Sequence, residues 1–453
     1  MKKTIMITAS AALFMCCTPQ KESTVHLKGQ LFDMGSNTVT LSYDGAASLI
    51  GDSKNITLLT DNEGKFDTIL TITEPSYYQI SRNTLYLTPG DDMTVRITPN
   101  NQEAEFNGKG AEINSYMKYR LFPKGGSFLE GGSNLKGNYE ETKELIDSLS
   151  KIRISELNSL KEATDEFKEL ELARIKADIA NSYLSFASYA MMKERNLKTE
   201  EDYKHYADSL FKKAVIDAKP IFKELNNDKF LDVAVVRDIM HYVINPREEQ
   251  TTYLAEEVTI SPYMNELYKA ASYVNKLRGS ISEEFFNEVN LFIESMQYPE
   301  FITEIKAKVK QATKLMKGQP AIDFEIKDTE GNTHKLSEFK GKIIYLDFWA
   351  TWCGPCVQES PHFEKLAKEF EGQDIVFIPI STDKNKEEWI NFITAHKKEL
   401  PQYNSLDTKL DTDWAIHYIP RFVLIDKDFK IIDAYAPRPS ETKTKQLLEA
   451  LIK

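Results

Sequence analysis

Two cysteines three residues apart, Cys353 and Cys356, sit where an apolar run from Ile343 to Trp349 gives way to a helical pattern. That junction constrains the fold more than any other feature of the chain. The sequence holds four cysteines, the others being Cys16 and Cys17. A disulfide across so short a loop restricts few unfolded conformations and stabilises little, so the pair is expected for its chemistry. At the end of a strand–loop and the start of a helix, the N–H groups and macrodipole favour the Cys353 thiolate. They lower its pKa from about 8.5 towards 7. Cys356 falls one turn further on, less exposed, and is expected to attack the mixed disulfide and release substrate. Pro355 suits the first helical turn, where its missing N–H has no acceptor to lose. A structural zinc site needs four ligands, and no second Cys-x-x-Cys or paired histidine accompanies this one.

The N-terminus reads as a leader. Lys2 and Lys3 precede an apolar run from Ile5 to Met15, and Thr18, Pro19, Gln20, Lys21 and Glu22 follow at once. This is the charged-then-apolar pattern of a secretory signal over residues 1–17, too short for a permanent membrane span. Cys16 and Cys17 stand where a lipoprotein signal would be cut. Cys16 has the better-placed Leu13, and Cys17 the small preceding residue. Lipidation of one of them would tether the protein to a membrane as a cell-envelope lipoprotein, periplasm-facing or on the surface. The alternative is a cleaved signal with both cysteines discarded. Either way the exported protein has no cysteine left for a structural disulfide, although its compartment would be oxidising. A formal net charge of −12 argues against a phosphate-neutralising surface, so no nucleic-acid partner is expected.

Three zones follow. Over residues 24–110, Val25 and Leu27, then Val39, Leu41 and Tyr43, then Met93, Val95 and Ile97 alternate in steps of two. Asp44-Gly45, Asn62-Glu63-Gly64 and Pro89-Gly90-Asp91 supply turns, so a small antiparallel β domain is expected, non-catalytic in itself. A helical region is expected over residues 111–315, with a Gly-rich stretch, Gly125-Gly126 and Gly131-Gly132, near its start. There Leu145, Ile146, Leu149 and Ile152, and later Ile175, Ile179, Tyr183 and Phe186, recur at helical spacing as a plain core. His205 and His241 have no ligand partner at metal spacing. Over residues 316–453, strands at 343–349 and 375–381, helices at 353–370 and 386–396, paired strands at 422–425 and 431–434, and a helix after Ser440 are expected. All four tryptophans lie in this last zone.

The stretch Leu346-Asp347-Phe348-Trp349-Ala350-Thr351-Trp352-Cys353-Gly354-Pro355-Cys356 closely resembles the active-site segment of thioredoxins, whose strand and helix order the zone shares. Pro361 matches the proline within that family's active-site helix. Ile419-Pro420 resembles the isoleucine–cis-proline pair that faces the dithiol and holds substrate backbone. Cys356-Val357-Gln358-Glu359-Ser360-Pro361, with Pro320-Ala321-Ile322-Asp323-Phe324 and Asp328-Thr329-Glu330-Gly331, is similar to the membrane-tethered TlpA/ResA branch. Leu87-Thr88-Pro89-Gly90-Asp91, Phe106-Asn107-Gly108 and Asn114 resemble, more weakly, the DUF4369 domain that precedes such reductases in Bacteroidetes-type lipoproteins.

The resemblance implies a multidomain protein with a C-terminal α/β thioredoxin fold and no cofactor beyond the Cys353–Cys356 disulfide. Cys353 and Cys356 would be catalytic, with Asp347 as a buried general base for the second cysteine and Glu359 in an active-site role. Trp352, Gly354, Pro355, Ile419 and Pro420 would meet substrate, Trp352 also shielding the dithiol. His417 and Arg421 flank the proline, and Arg421 replaces the threonine that often follows it. The implied partners are disulfides of exported proteins, apocytochrome c among the candidates, and a membrane-derived or periplasmic electron donor. A thiol peroxidase of the redoxin class is an alternative. Its peroxide-polarising hydroxyl would stand three residues before the cysteine and its proline four before that, where Ala350 and Leu346 stand here. A soft-metal chaperone using the same thiols is a non-enzyme alternative, with His362 or His417 as added ligands. The Gly-Pro dipeptide between the cysteines suggests the reducing end of the potential range.

Overall fold

The structure, a computed structural model, describes residues 23–118, 126–193, 199–244, 246, 249–279 and 281–453. The leader, Cys16, Cys17 and Gly125 lie outside the described residues. The protein divides into two compact units, one of residues to Ser48 with Lys54–Ile260, the other of Leu49–Ser53 with Ser261–Lys453.

The first unit opens with eight strands: β1 (Thr24–Leu31), β2 (Thr38–Tyr43), β3 (Ile56–Leu59), β4 (Lys65–Thr71), β5 (Ser76–Ile80), β6 (Asn83–Leu87), β7 (Asp92–Ile97) and β8 (Glu105–Lys109). They form two four-stranded sheets, β4-β1-β7-β8 and β3-β2-β5-β6. Val25, Leu27, Val39, Leu41, Met93, Val95 and Ile97 share one core between the sheets, as their period-two spacing requires. Pairing is antiparallel except that β1 runs parallel to β7, a non-local contact that turn residues do not announce. Gly64 closes the turn before β4 at φ +78°, and a Cβ there would meet the Leu31 carbonyl oxygen at 2.0 Å.

The unit continues with α1 (Ala111–Met117), α2 (Tyr139–Ser159), α3 (Asp165–Lys193), α4 (Glu200–Glu224), α5 (Ala234–Ile244) and α6 (Glu249–Ala255). Ile146, Ile175, Tyr183 and Phe186 are buried, whereas Ile152 is 57% exposed. Tyr139, Thr142, Ile146, Ser150 and Leu157 define the inward stripe of α2, and Ile152 lies two residues off it, about 200° round the helix from Ser150.

The second unit holds α7 (Pro262–Leu277), α8 (Glu283–Ser295) and α9 (Pro299–Lys314), then β9 (Glu325–Lys327), β10 (Thr333–Lys335), β11 (Ile343–Trp349), α10 (Gly354–Glu369), β12 (Ile375–Ser381), α11 (Lys386–Ala395), β13 (Tyr403–Asn404), α12 (Lys409–Thr412), β14 (Arg421–Ile425), β15 (Ile431–Asp433) and α13 (Thr442–Leu451). The helical zone expected over 111–315 is therefore shared between the units. The sheet order is β10-β9-β13-β12-β11-β14-β15. β11 sits inside it, parallel to β12 and antiparallel to β14. Every residue of β11 is buried, as befits a strand covered on both faces. Ile344, Leu346 and Phe348 join the core with Val423, Ile425 and Trp414. Ile343 and Tyr345 join Phe363 and Leu366 of α10 and Leu448 of α13 on the other face. Alternation assigns Asp347 to the α10 face as well.

Candidate active site

The dithiol sits on the short loop from β11 into α10. That loop is pinned from β12: Asp383 accepts from the Thr351 N–H at 2.9 Å, the Thr351 hydroxyl at 2.8 Å and the Ser381 hydroxyl at 2.7 Å. Thr382 N–H also donates to the Trp349 carbonyl at 2.9 Å. The loop delivers Cys353 in an extended conformation as the residue that caps α10, its Sγ accepting from the Cys356 N–H at 3.3 Å. A sulfur so placed receives the unpaired N–H of the first turn and the positive end of the helix. Pro355 occupies that first turn and Pro361 lies inside the helix.

Cys353 and Cys356 are joined as a disulfide. The sequence predicts Cys353 as the exposed thiol, yet it is only 5% exposed against 1% for Cys356. Both pack with Trp349, Ala350, Trp389 and Ile393, and Ile419 rests against the same cluster. Gly354 and Pro355 are the exposed part of the motif. Trp352 is 73% exposed, so it stands beside the dithiol in solvent and does not shield it; Trp349 and Trp389 do the covering. The Ile419–Pro420 peptide is cis.

Asp347 is 2% exposed. Burial first, and then the charge of Glu359, push its pKa up to about 8, while the Lys398 ammonium pulls the other way. Its Oδ1 has no hydrogen-bond partner, which fits a carboxyl that keeps its proton at neutral pH. Glu359, 7% exposed, accepts from the Ser440 N–H at 3.1 Å and from its hydroxyl at 2.8 Å. Its carboxylate thereby ties α10 to the loop before α13. It acts on Asp347 through its charge.

Two contributors are not apparent from the sequence, and a third shows there only as a departure from the family pattern. Asp383 pins the cysteine loop; its one signal is its place just past the end of β12. Lys398 bonds the Ser360 hydroxyl and lies 3.3 Å from Glu364, both on α10. It follows α11 with no local pattern to mark it. Arg421 stands out in the sequence only as a departure from the family's threonine; it is 3% exposed and opens β14. His417 is exposed, and partial burial with the Lys308 ammonium lowers its pKa. Among the described residues no group of three or more His, Cys, Asp or Glu side chains is placed to hold a metal ion. Among the same residues no helix is long and apolar enough to cross a membrane.

A family model described as AhpC/TSA matches residues 317–444. Thiol-disulfide oxidoreductase ResA of Bacillus cereus is 30% identical over 120 residues, which cover 26% of this chain and 69% of that protein. The ResA of Bacillus thuringiensis (strain Al Hakam) is 29% identical over 140 residues, 31% of this chain and 79% of that one. A crystal structure from Bacteroides vulgatus, assigned by inference as a thiol-disulfide oxidoreductase, is 58% identical with a TM-score of 0.30, covering 31% of this chain and 99% of that one.

Proposed function

The chain belongs, through its C-terminal domain, to the ResA-type thiol-disulfide oxidoreductases, and from that premise we propose that it reduces disulfides of exported proteins in the cell envelope. One observation carries the reading. A Cys353–Cys356 disulfide caps α10, with a cis Ile419–Pro420 peptide against its cluster and, on the helix face, a buried Asp347 whose pKa is raised to about 8, where a carboxyl can take up and release a proton near neutral pH.

In the reduced state the Cys353 thiolate, favoured by the helix N-terminus, attacks one sulfur of a substrate disulfide. A mixed disulfide forms, and the other substrate sulfur leaves as a thiolate and takes a proton. Asp347 in its carboxylate form accepts the Cys356 proton. The Cys356 thiolate then attacks Cys353 Sγ, which frees the second substrate thiol. Substrate gains two electrons and the enzyme is left as the disulfide seen here. An external dithiol donor, membrane-derived or periplasmic, must return those electrons.

Lipidation at Cys16 or Cys17 would hold this chemistry at a membrane, and the apolar leader supports that reading. The β domain would act as a DUF4369-like spacer or recruitment module. The Gly-Pro dipeptide favours the reducing end. A peroxidase reading gains nothing from the site, since the buried Ala350 methyl occupies the place of the hydroxyl that would polarise peroxide.

Titration of the Cys353–Cys356 couple in dithiothreitol or glutathione buffers, read by tryptophan fluorescence, tests the direction. A potential near the thioredoxin value of about −270 mV is expected, and one near about −120 mV would make the protein a disulfide donor. With a disulfide protein as substrate, Cys356→Ser should accumulate the mixed disulfide and Cys353→Ser should not.

A further inference from the structure

Arg421 directly follows the cis-proline, and its environment is unusual. Its Nε donates to the Ala434 carbonyl at 2.6 Å, and its guanidinium stacks 3.4 Å from the Tyr435 ring centroid. Nη1 and Nη2 are buried without a hydrogen-bond partner. A guanidinium cannot shed its charge, so burial without a counter-ion is costly unless an anion comes near.

Tyr435 lines a small cleft together with His417, Arg278, Lys308 and Gln311, and the other half of its lining is apolar, Leu277 and Leu315 among it. Its volume is about 30 Å³, room for one small group such as a carboxylate and too little for a whole cofactor. Asp52 holds Lys308 at 2.8 Å, and Asp411 acts on His417. Among the described residues no carboxylate forms an ion pair with Arg278 or Arg421. The His417 pKa is lowered first by burial and then by the Lys308 ammonium; Arg278 adds to this, while Asp411 and Asp52 oppose it.

The cleft is also well placed. His417 lines it, and two residues on Ile419 packs against the dithiol cluster, a span of at most about 7 Å of backbone. The Tyr418 hydroxyl donates to the Arg278 carbonyl at 2.9 Å, holding the end of α7 against this loop. We infer that this cleft is an anion subsite that takes a carboxylate carried by the substrate polypeptide within a few residues of its disulfide. Arg278 and Lys308 form its rim, and Arg421 acts from behind Tyr435 through its field. The inference rests on the thiol–disulfide reading and names a substrate class for it: disulfides flanked by acidic residues or by a free terminal carboxylate.

The test uses the full-length protein and two disulfide peptides that differ only by Glu or Gln three residues from a cysteine. The readout is the ratio of kcat/KM for the Glu peptide to that for the Gln peptide. A wild-type ratio of about threefold to fivefold at low salt is expected. It should fall towards one in Arg278→Gln, in Arg421→Met and in about 0.5 M salt. Arg278→Gln lies on the rim and keeps the test open should the buried variant not fold. A ratio of one, with wild-type turnover of neutral hydroxyethyl disulfide intact, overturns the subsite. So does acetate binding at the cleft while the ratio is one, which would make it a site for free anions. Failure to turn over hydroxyethyl disulfide overturns the oxidoreductase reading instead.

Discussion

Burial between the sheet and α10 holds the Asp347 carboxyl at a pKa of about 8, against about 3.9 in the unfolded state. The raised value means that the folded state binds the extra proton between those limits. Stability from this group is therefore full below about pH 4, is lost as pH rises, and levels off above about pH 8. Asp347→Asn removes the slope. Denaturant unfolding should show the variant and wild type converging near pH 4 and separating with rising pH, the variant more stable by at most about 5 kcal/mol at pH 8. The same variant should prolong the mixed disulfide, because no carboxylate remains to deprotonate Cys356. Lys398→Met, which removes the cation that pulls this pKa down, should move the midpoint of the pH–rate profile to higher pH. Glu359→Gln should move it lower. Shifts of the same sign would show that neither charge acts through Asp347. Asp347 was legible because it lies two residues before Trp349 in a long motif. Lys398 was not, because only folding brings it beneath α10.

The elements around the site were legible in proportion to their length. β11 and β12 fall on the expected 343–349 and 375–381, since a seven-residue apolar run buried on both faces has few other readings. α10 and α11 end within a residue of expectation. β13 has two residues and β9 three, too short for any period to show. The hydrogen bonds that fix the cysteine loop were equally hidden, because Asp383 meets Thr351 across 32 positions of sequence. Asp383 is 4% exposed. Asp383→Ala would strand the Thr351 N–H and two hydroxyls without their acceptor, at a cost of about 2–4 kcal/mol in urea unfolding. Asp383→Asn, which keeps one acceptor oxygen, should recover part of that. If the alanine variant unfolds like wild type, the loop is held by packing around Trp349 and Trp389 and by the Thr382 N–H bond to the Trp349 carbonyl.

At the scale of the whole molecule, composition and periodicity separated β from helix but gave no means of assigning α7 to α9 to a unit. They belong with the thioredoxin fold, and the reasons are local to that unit. Leu315, just after α9, is 5% exposed within the core that holds Leu346 and Trp414. Gln311 donates to the Asp411 and Thr412 carbonyls at 3.2 and 2.8 Å, and Lys314 pairs with Asp413 at 2.7 Å. All three contacts fall on the segment that leads into the cis-proline loop. A fragment of residues 316–453 loses them together with the burial of Leu315, and should be less stable in urea than Ser261–Lys453 by at least about 2 kcal/mol. The longer fragment itself lacks Ser53, whose N–H donates to the buried Glu304 at 3.1 Å, so the comparison understates the difference. Because the loss centres on the loop that carries Pro420, the short fragment should raise KM for a disulfide peptide more than for hydroxyethyl disulfide, which needs no backbone partner. Equal stabilities and equal KM values would mean that α7 to α9 only rest on the fold, whereas a peptide-selective rise makes them part of how the site holds its substrate.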